Sequence, residues 1–93
     1  MEKMMDAEQF AVTLGQAGYK DIASKSMEPR PANGDHAHEY AVRGLVTAGE
    51  FIIACNGGPR SYKAGEIFEV AAGQMHTEAV GPEGTSVTTG RMY

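Results

Sequence analysis

The spacing of apolar and polar positions divides the chain into two unequal parts. Between Asp6 and Ala17, the residues Phe10, Leu14 and Ala17 recur at the interval of one helical face. Asp6 is a suitable N-cap with Glu8 and Gln9 close behind it, and Gly18 stands where a helix ends on a left-handed residue. This predicts one amphipathic helix whose main large apolar residues, Phe10 and Leu14, pack against the outside of something larger. From Lys20 the period changes. Short runs rich in β-branched and aromatic residues alternate with glycine, proline and asparagine, and nothing helical recurs.

Those runs predict strands at 21–28, 39–47, 51–55, 59–63, 66–70, 75–80 and 85–92. The connections carry turn chemistry. Pro29 and Pro31 close the first strand, and Asn33-Gly34-Asp35 delivers the chain into the second. Ala48-Gly49-Glu50 reads as a tight reversal, Asn56-Gly57-Gly58 as a hairpin and Gly81-Pro82-Glu83-Gly84 as the last turn. About seven strands at short spacing predict an all-β barrel or sandwich with Phe51, Ile53, Phe68 and Val70 in its core. The 93 residues fit a single domain, with residues 1–19 as a helical segment packing on a barrel of residues 20–93.

Composition sharpens this mainly by exclusion. A net charge of −4 with no block of lysine or arginine argues against nucleic acid and against an anionic membrane surface as partners. No apolar run approaches a membrane span, and Met1 to Asp6 lack the apolar core of a signal peptide, which predicts a cytoplasmic protein. Cys55 is the only cysteine, so no internal disulfide forms, and its apolar surroundings predict a buried, inert thiol. A domain this small buries only somewhat more than half of its unfolded surface and leaves strand edges to cover, so self-association into a homodimer is expected.

Candidate chemistry gathers in Asp35-His36-Ala37-His38-Glu39-Tyr40-Ala41-Val42. Residues two apart in extended chain share a face, about 6–7 Å apart, so His36 and His38 can lean onto one metal ion. The bland alternative is two solvated histidines on a polar strand edge. His76, the third histidine, lies in the run from Gly65 to His76.

The spacing of these residues resembles the two cupin motifs. The first runs glycine, five residues, His-x-His, three or four residues, glutamate, six residues, glycine; His36, His38 and Gly49 fall on it in register. The second runs glycine, five residues, Pro-x-Gly, two residues, histidine, three residues, asparagine; Gly65, Gly73 and His76 match it. Arg30 replaces the leading glycine, Val42 (or Arg43 at the longer spacing) the glutamate, Ala71 the proline and Val80 the asparagine. The resemblance covers Asp21 to Met92 and implies a small, jelly-roll-like cupin barrel that pairs as a dimer. Of the family's four metal ligands it carries over only His36, His38 and His76.

Strand parity then assigns faces. If His36 and His38 point inward, so do Tyr40 and Val42, while Glu39, Ala41 and Arg43 point out. If His76 points inward, so do Glu78 and Val80. Glu78 is therefore the candidate to approach the metal, bond a ligand histidine or act as a base, or else a rim carboxylate in water. Tyr40 is a pocket wall or a catalytic acid. Three neutral imidazoles leave a divalent ion its full +2 charge, which favours an anionic small-molecule ligand. Fe, Ni, Zn, Mn and Cu all suit imidazole donors. The resemblance implies dioxygenases, isomerases, decarboxylases and plain binding domains, so the expected function is metal-dependent chemistry on an anionic or enolisable small molecule, as a dioxygenase or isomerase. The alternatives are a non-catalytic binding or sensor module, and a scaffold role without metal.

Overall fold

The computed structural model describes residues 6–93. The first five residues, which belong to the expected 1–19 segment and to the expected absence of a signal sequence, lie outside the described residues. The elements are α1 (Ala7–Gln16), β1 (Lys20–Met27), β2 (Ala41–Cys55), β3 (Gly58–Lys63), β4 (Ile67–Val70) and β5 (Thr77–Met92). The fold is all-β with one N-terminal helix. Asp6 caps that helix as predicted: Gln9 N donates to the Asp6 side chain at 2.8 Å, and Asp6 N donates back to the Gln9 side chain at 3.2 Å.

Pairing is antiparallel throughout, in the order β1-β5-β2-β3, with β4 also on β2. β5 runs beside β2 from Ala41↔Met92 to Ala54↔Thr77. The other edge of β2 takes β4 at Val42–Leu45 and β3 at Glu50–Cys55, the latter closed by the predicted Asn56-Gly57 hairpin. The seven predicted segments are present, but two pairs of them are continuous. Residues 39–47 and 51–55 merge into β2, and residues 75–80 and 85–92 merge into β5, so neither the reversal at Gly49 nor the turn at 81–84 occurs.

The physical reason is a shared bend. Gly49 (φ +72°) and Gly84 (φ +77°) lie beside each other on the two strands, between register shifts at Val46/Ala48 and Gly49/Phe51. A Cβ at Gly49 would overlap the Gly84 carbonyl, so glycine lets the two backbones approach while both strands kink. Pro82 falls in the stretch of β5 that has no partner on β2, where its missing N–H costs no ladder bond.

The main core joins Val46, Phe51 and Ile53 of β2 with Tyr62, Phe68, Val70, Val80 and Val87. At Gly44 a Cβ would overlap the Phe68 ring, so the aromatic fills the space a side chain would need. A second cluster lies on the outer face, where Phe10 and Leu14 of α1 cover Leu45, Tyr19 and Ile22. Cys55 is half-buried against the main core rather than fully enclosed. No helix among the described residues is long and apolar enough to cross a membrane.

Candidate metal centre

The histidine stretch is not inside a strand. Residues 28–40, which contain Pro29, Pro31, Asn33 and Gly34, follow an irregular path held to β5 by isolated bridges at Arg30↔Val80 and His36↔His76. The second bridge is a reciprocal pair, His36 N to His76 O at 3.0 Å and His76 N to His36 O at 2.9 Å. His38 O accepts from Gly73 N at 2.8 Å. These bonds bring the two motif halves together. The three imidazole centroids lie 4.4 Å (His36–His76), 5.1 Å (His36–His38) and 5.2 Å (His38–His76) apart.

Glu78, two residues beyond His76 on the same face, completes the group. One donor atom each from His36, His38, His76 and Glu78 can be chosen so that all lie within 4.8 Å of one another. Ligands about 2.1 Å from one ion span at most about 4.2 Å, so this set is within a fraction of an ångström of a coordination shell. His76 is fully buried, while His36, His38 and Glu78 are partly exposed, leaving an open side.

Hydrogen bonding fixes the tautomers that matter. His36 Nδ1 lies 3.0 Å from Gly34 O and His76 Nδ1 lies 2.9 Å from Gln74 O. A carbonyl oxygen only accepts, so both Nδ1 atoms carry a proton, which leaves Nε2 as the atom each ring can offer to a metal. The three Nε2 atoms face Glu78 Oε2, which lies 2.9 Å from His76 Nε2, 3.5 Å from His36 Nε2 and 3.9 Å from His38 Nε2. The His76 contact is a hydrogen bond, with one proton between the two atoms. A divalent metal ion taking the place of that proton would be met by all four groups at once. The residues fit such an ion.

The surroundings follow the predicted parity. Tyr40 and Val42 line a cavity of about 130 Å³ with His38 and Glu78, and Val80 is buried; Glu39 is exposed, and Arg43 pairs outward with Glu69 at 3.2 Å. Tyr40 stacks on His38 at 5.0 Å and 11°. Arg30, in place of the motif glycine, reaches Glu78 Oε1 at 3.7 Å. Burial and the neighbouring His76 ring hold His38 below its ordinary pKa of 6.5, against the opposing pull of Glu78, so His38 is neutral at pH 7 and ready to ligate.

Parity reasoning missed the cavity residues Lys25, Met27, Thr89 and Arg91. Before the bend the inward residues of β5 are the even-numbered Glu78 and Val80; after it they are the odd-numbered Val87, Thr89 and Arg91. A bulge at 81–84 instead of a turn accounts for Thr89 and Arg91, while Lys25 and Met27 come from β1.

No family model matches the sequence, and no curated protein does. Solved structures do match in three dimensions. A cupin-2 domain protein from Shewanella frigidimarina is 18% identical with a TM-score of 0.65, over 77% of this chain and 69% of that one. The Clostridium difficile EutQ protein is 18% identical with a TM-score of 0.68, over 85% and 60% of the two chains. A Klebsiella pneumoniae protein with a double-stranded β-helix domain is 24% identical with a TM-score of 0.63, over 76% and 64%. The chain thus spans between three-fifths and seven-tenths of the length of these structures. Its fold is that of a small cupin.

Proposed function

We propose that this cupin-fold chain holds one divalent transition metal ion (Fe, Ni, Zn, Mn or Cu) on His36, His38, His76 and Glu78 and presents it to a small anionic or enolisable molecule. The observation that carries the reading is the convergence of three Nε2 atoms on one carboxylate oxygen, with two of the Nδ1 protons committed elsewhere. A bound ion of this kind supplies Lewis acidity and, for iron, reactivity with O₂. The chain's own residues do the positioning. The Gly34 and Gln74 carbonyls orient two imidazoles, and Glu78 cuts the formal charge of the centre from +2 to about +1. Val42, Phe51 and Phe68 give the cavity an apolar wall.

Dioxygenase or isomerase chemistry on an enolisable acid is the catalytic form of this reading. A specific observation favours the non-catalytic form, a binding or sensor module: Glu78, the carboxylate candidate for proton transfer, is already engaged. Glu78 faces three histidines and Arg30, while the Tyr40 ring stacks on His38 and has the Arg91 guanidinium 4.4 Å from its centroid. We further place the protein in the cytoplasm as a homodimer, and sedimentation at low concentration tests the dimer.

Calorimetric titration of the parent and of His36→Ala with each metal tests the centre. Stoichiometric binding lost in the variant is the expected result, and a parent that binds no metal ends the proposal. Oxygen uptake by the iron(II)-loaded protein with diketones, thiols and keto acids then separates the two forms. Uptake no greater than that of free iron selects the binding module.

A further inference from the structure

The cavity beside the proposed centre carries more positive charge than one carboxylate can offset. Lys25 of β1 and Arg91 of β5 both line it, and among the described residues Glu78 is the only acidic one that does. Among the described residues neither Lys25 nor Arg91 makes a direct ion pair, although Arg91 sits beside the Tyr93 hydroxyl, which bonds Asp21, while Glu78 is taken up by the histidines and Arg30. That two of the chain's eight lysines and arginines line one small cavity contrasts with its net charge of −4.

Their placement is as informative as their sign. The Arg91 guanidinium lies 4.4 Å from the Tyr40 ring centroid, and Tyr40 stacks at 5.0 Å on His38. Tyr40 thereby contacts both a candidate metal ligand and a planar cation, which places the cation near the metal group within one cavity. A ligand that uses both ends must carry two acidic groups a short chain apart. Volume limits it further. A 150 Å³ protein cavity holds benzene, six heavy atoms, so about 130 Å³ with an open mouth suits about six to eight. The guanidinium fork matches a carboxylate through two parallel hydrogen bonds, and the Lys25 ammonium adds a point charge.

We infer that Arg91, aided by Lys25, anchors the far carboxylate of a short dicarboxylic acid whose near carboxylate binds at the His36, His38, His76 and Glu78 group. The near end rests on the metal-centre reading above; the far end does not.

Malonate and propionate, which differ by the second carboxylate, test this on the full chain in zinc-loaded and metal-free forms. The zinc-loaded parent is expected to bind malonate at least tenfold more tightly than propionate, as hydrogen bonds to charged groups allow. Arg91→Gln should remove most of that preference and Lys25→Gln part of it, with zinc affinity and unfolding midpoint unchanged. Arg91→Lys, which keeps the charge and loses the fork, should fall between. A parent that does not distinguish the two acids, or an Arg91→Gln/Lys25→Gln variant that keeps the full preference, overturns the inference. In the metal-free parent, malonate should still shift the Tyr40 and Arg91 side-chain NMR signals, and the double variant should abolish the shift. Absence of that shift in the parent also overturns the anchor. If zinc does not bind but the shift is present and Arg91-dependent, the metal reading fails and the anchor stands.

Discussion

At the scale of residues, the decisive relation is between Val42 and Glu78. Val42 stands where the first cupin motif has its glutamate, and the carboxylate of this site comes instead from β5, two residues past His76. Both side chains line the same cavity, so a carboxylate is expected to serve from either position. Glu78→Ala should weaken metal binding at least tenfold, the scale of loss seen for residues that support a metal site. Val42→Glu in that background should recover part of it. Calorimetry reads both, and no recovery would mean that position 42 cannot reach the ion. His38 offers a second check. Desolvation and the His76 ring lower its pKa, so in the metal-free protein its imidazole should titrate by NMR below 6.5. The unfolded chain takes up that proton near 6.5 and the folded chain only at lower pH. Folding therefore loses stability as pH falls through 6.5 toward the folded value, and nothing more below it. A midpoint at or above 6.5 would contradict the environment described.

At the scale of elements, what was legible depended on local chemistry. The α1 cap and the Asn56-Gly57 hairpin were visible because the residues that form them are adjacent in sequence. The bend shared by β2 and β5 was not, because Gly49 and Gly84 meet only through pairing between distant segments, and each alone looks like a turn. A turn expected at 81–84 breaks the parity count that starts at His76, so no face was assigned to the second half of β5 and Arg91 stayed hidden. It left Glu78 visible, since Glu78 and His76 lie on the same side of the bend. The bend makes its own prediction. Gly49→Ala combines a left-handed φ with overlap against the Gly84 carbonyl and should cost more than about 1–3 kcal/mol, the range for strain at one such residue. Asp6→Ala, by contrast, removes an exposed cap and should cost about 1 kcal/mol. Denaturant midpoints of the two variants compare them directly, and a Gly49→Ala protein as stable as Asp6→Ala would refute the close approach.

At the scale of the whole molecule, the candidate ligands come from two differently held parts of the chain. Glu78 lies at the start of β5 and His76 immediately precedes it, next to the long ladder that pairs β5 with β2. His36 and His38 lie in the irregular 28–40 segment, whose backbone bonds to the barrel are few: Arg30 with Val80, Asn33 with Glu78, His36 with His76 and His38 with Gly73. An ion held by all four would clip that segment to the barrel, so loading should act on stability and local opening together. At an ion concentration one thousand times Kd, the folded state gains about 4 kcal/mol. For a domain of this size that raises Tm on the order of 15 °C or more. Amide exchange is expected to slow most between residues 30 and 40, which make few backbone bonds, and least in β2, which is paired on both edges. A chelator or His36→Ala should return both observables to the metal-free values. Protection spread evenly over the barrel, with none concentrated in 30–40, would mean that the ion binds elsewhere, because a clip at these residues has its largest effect on the segment it closes.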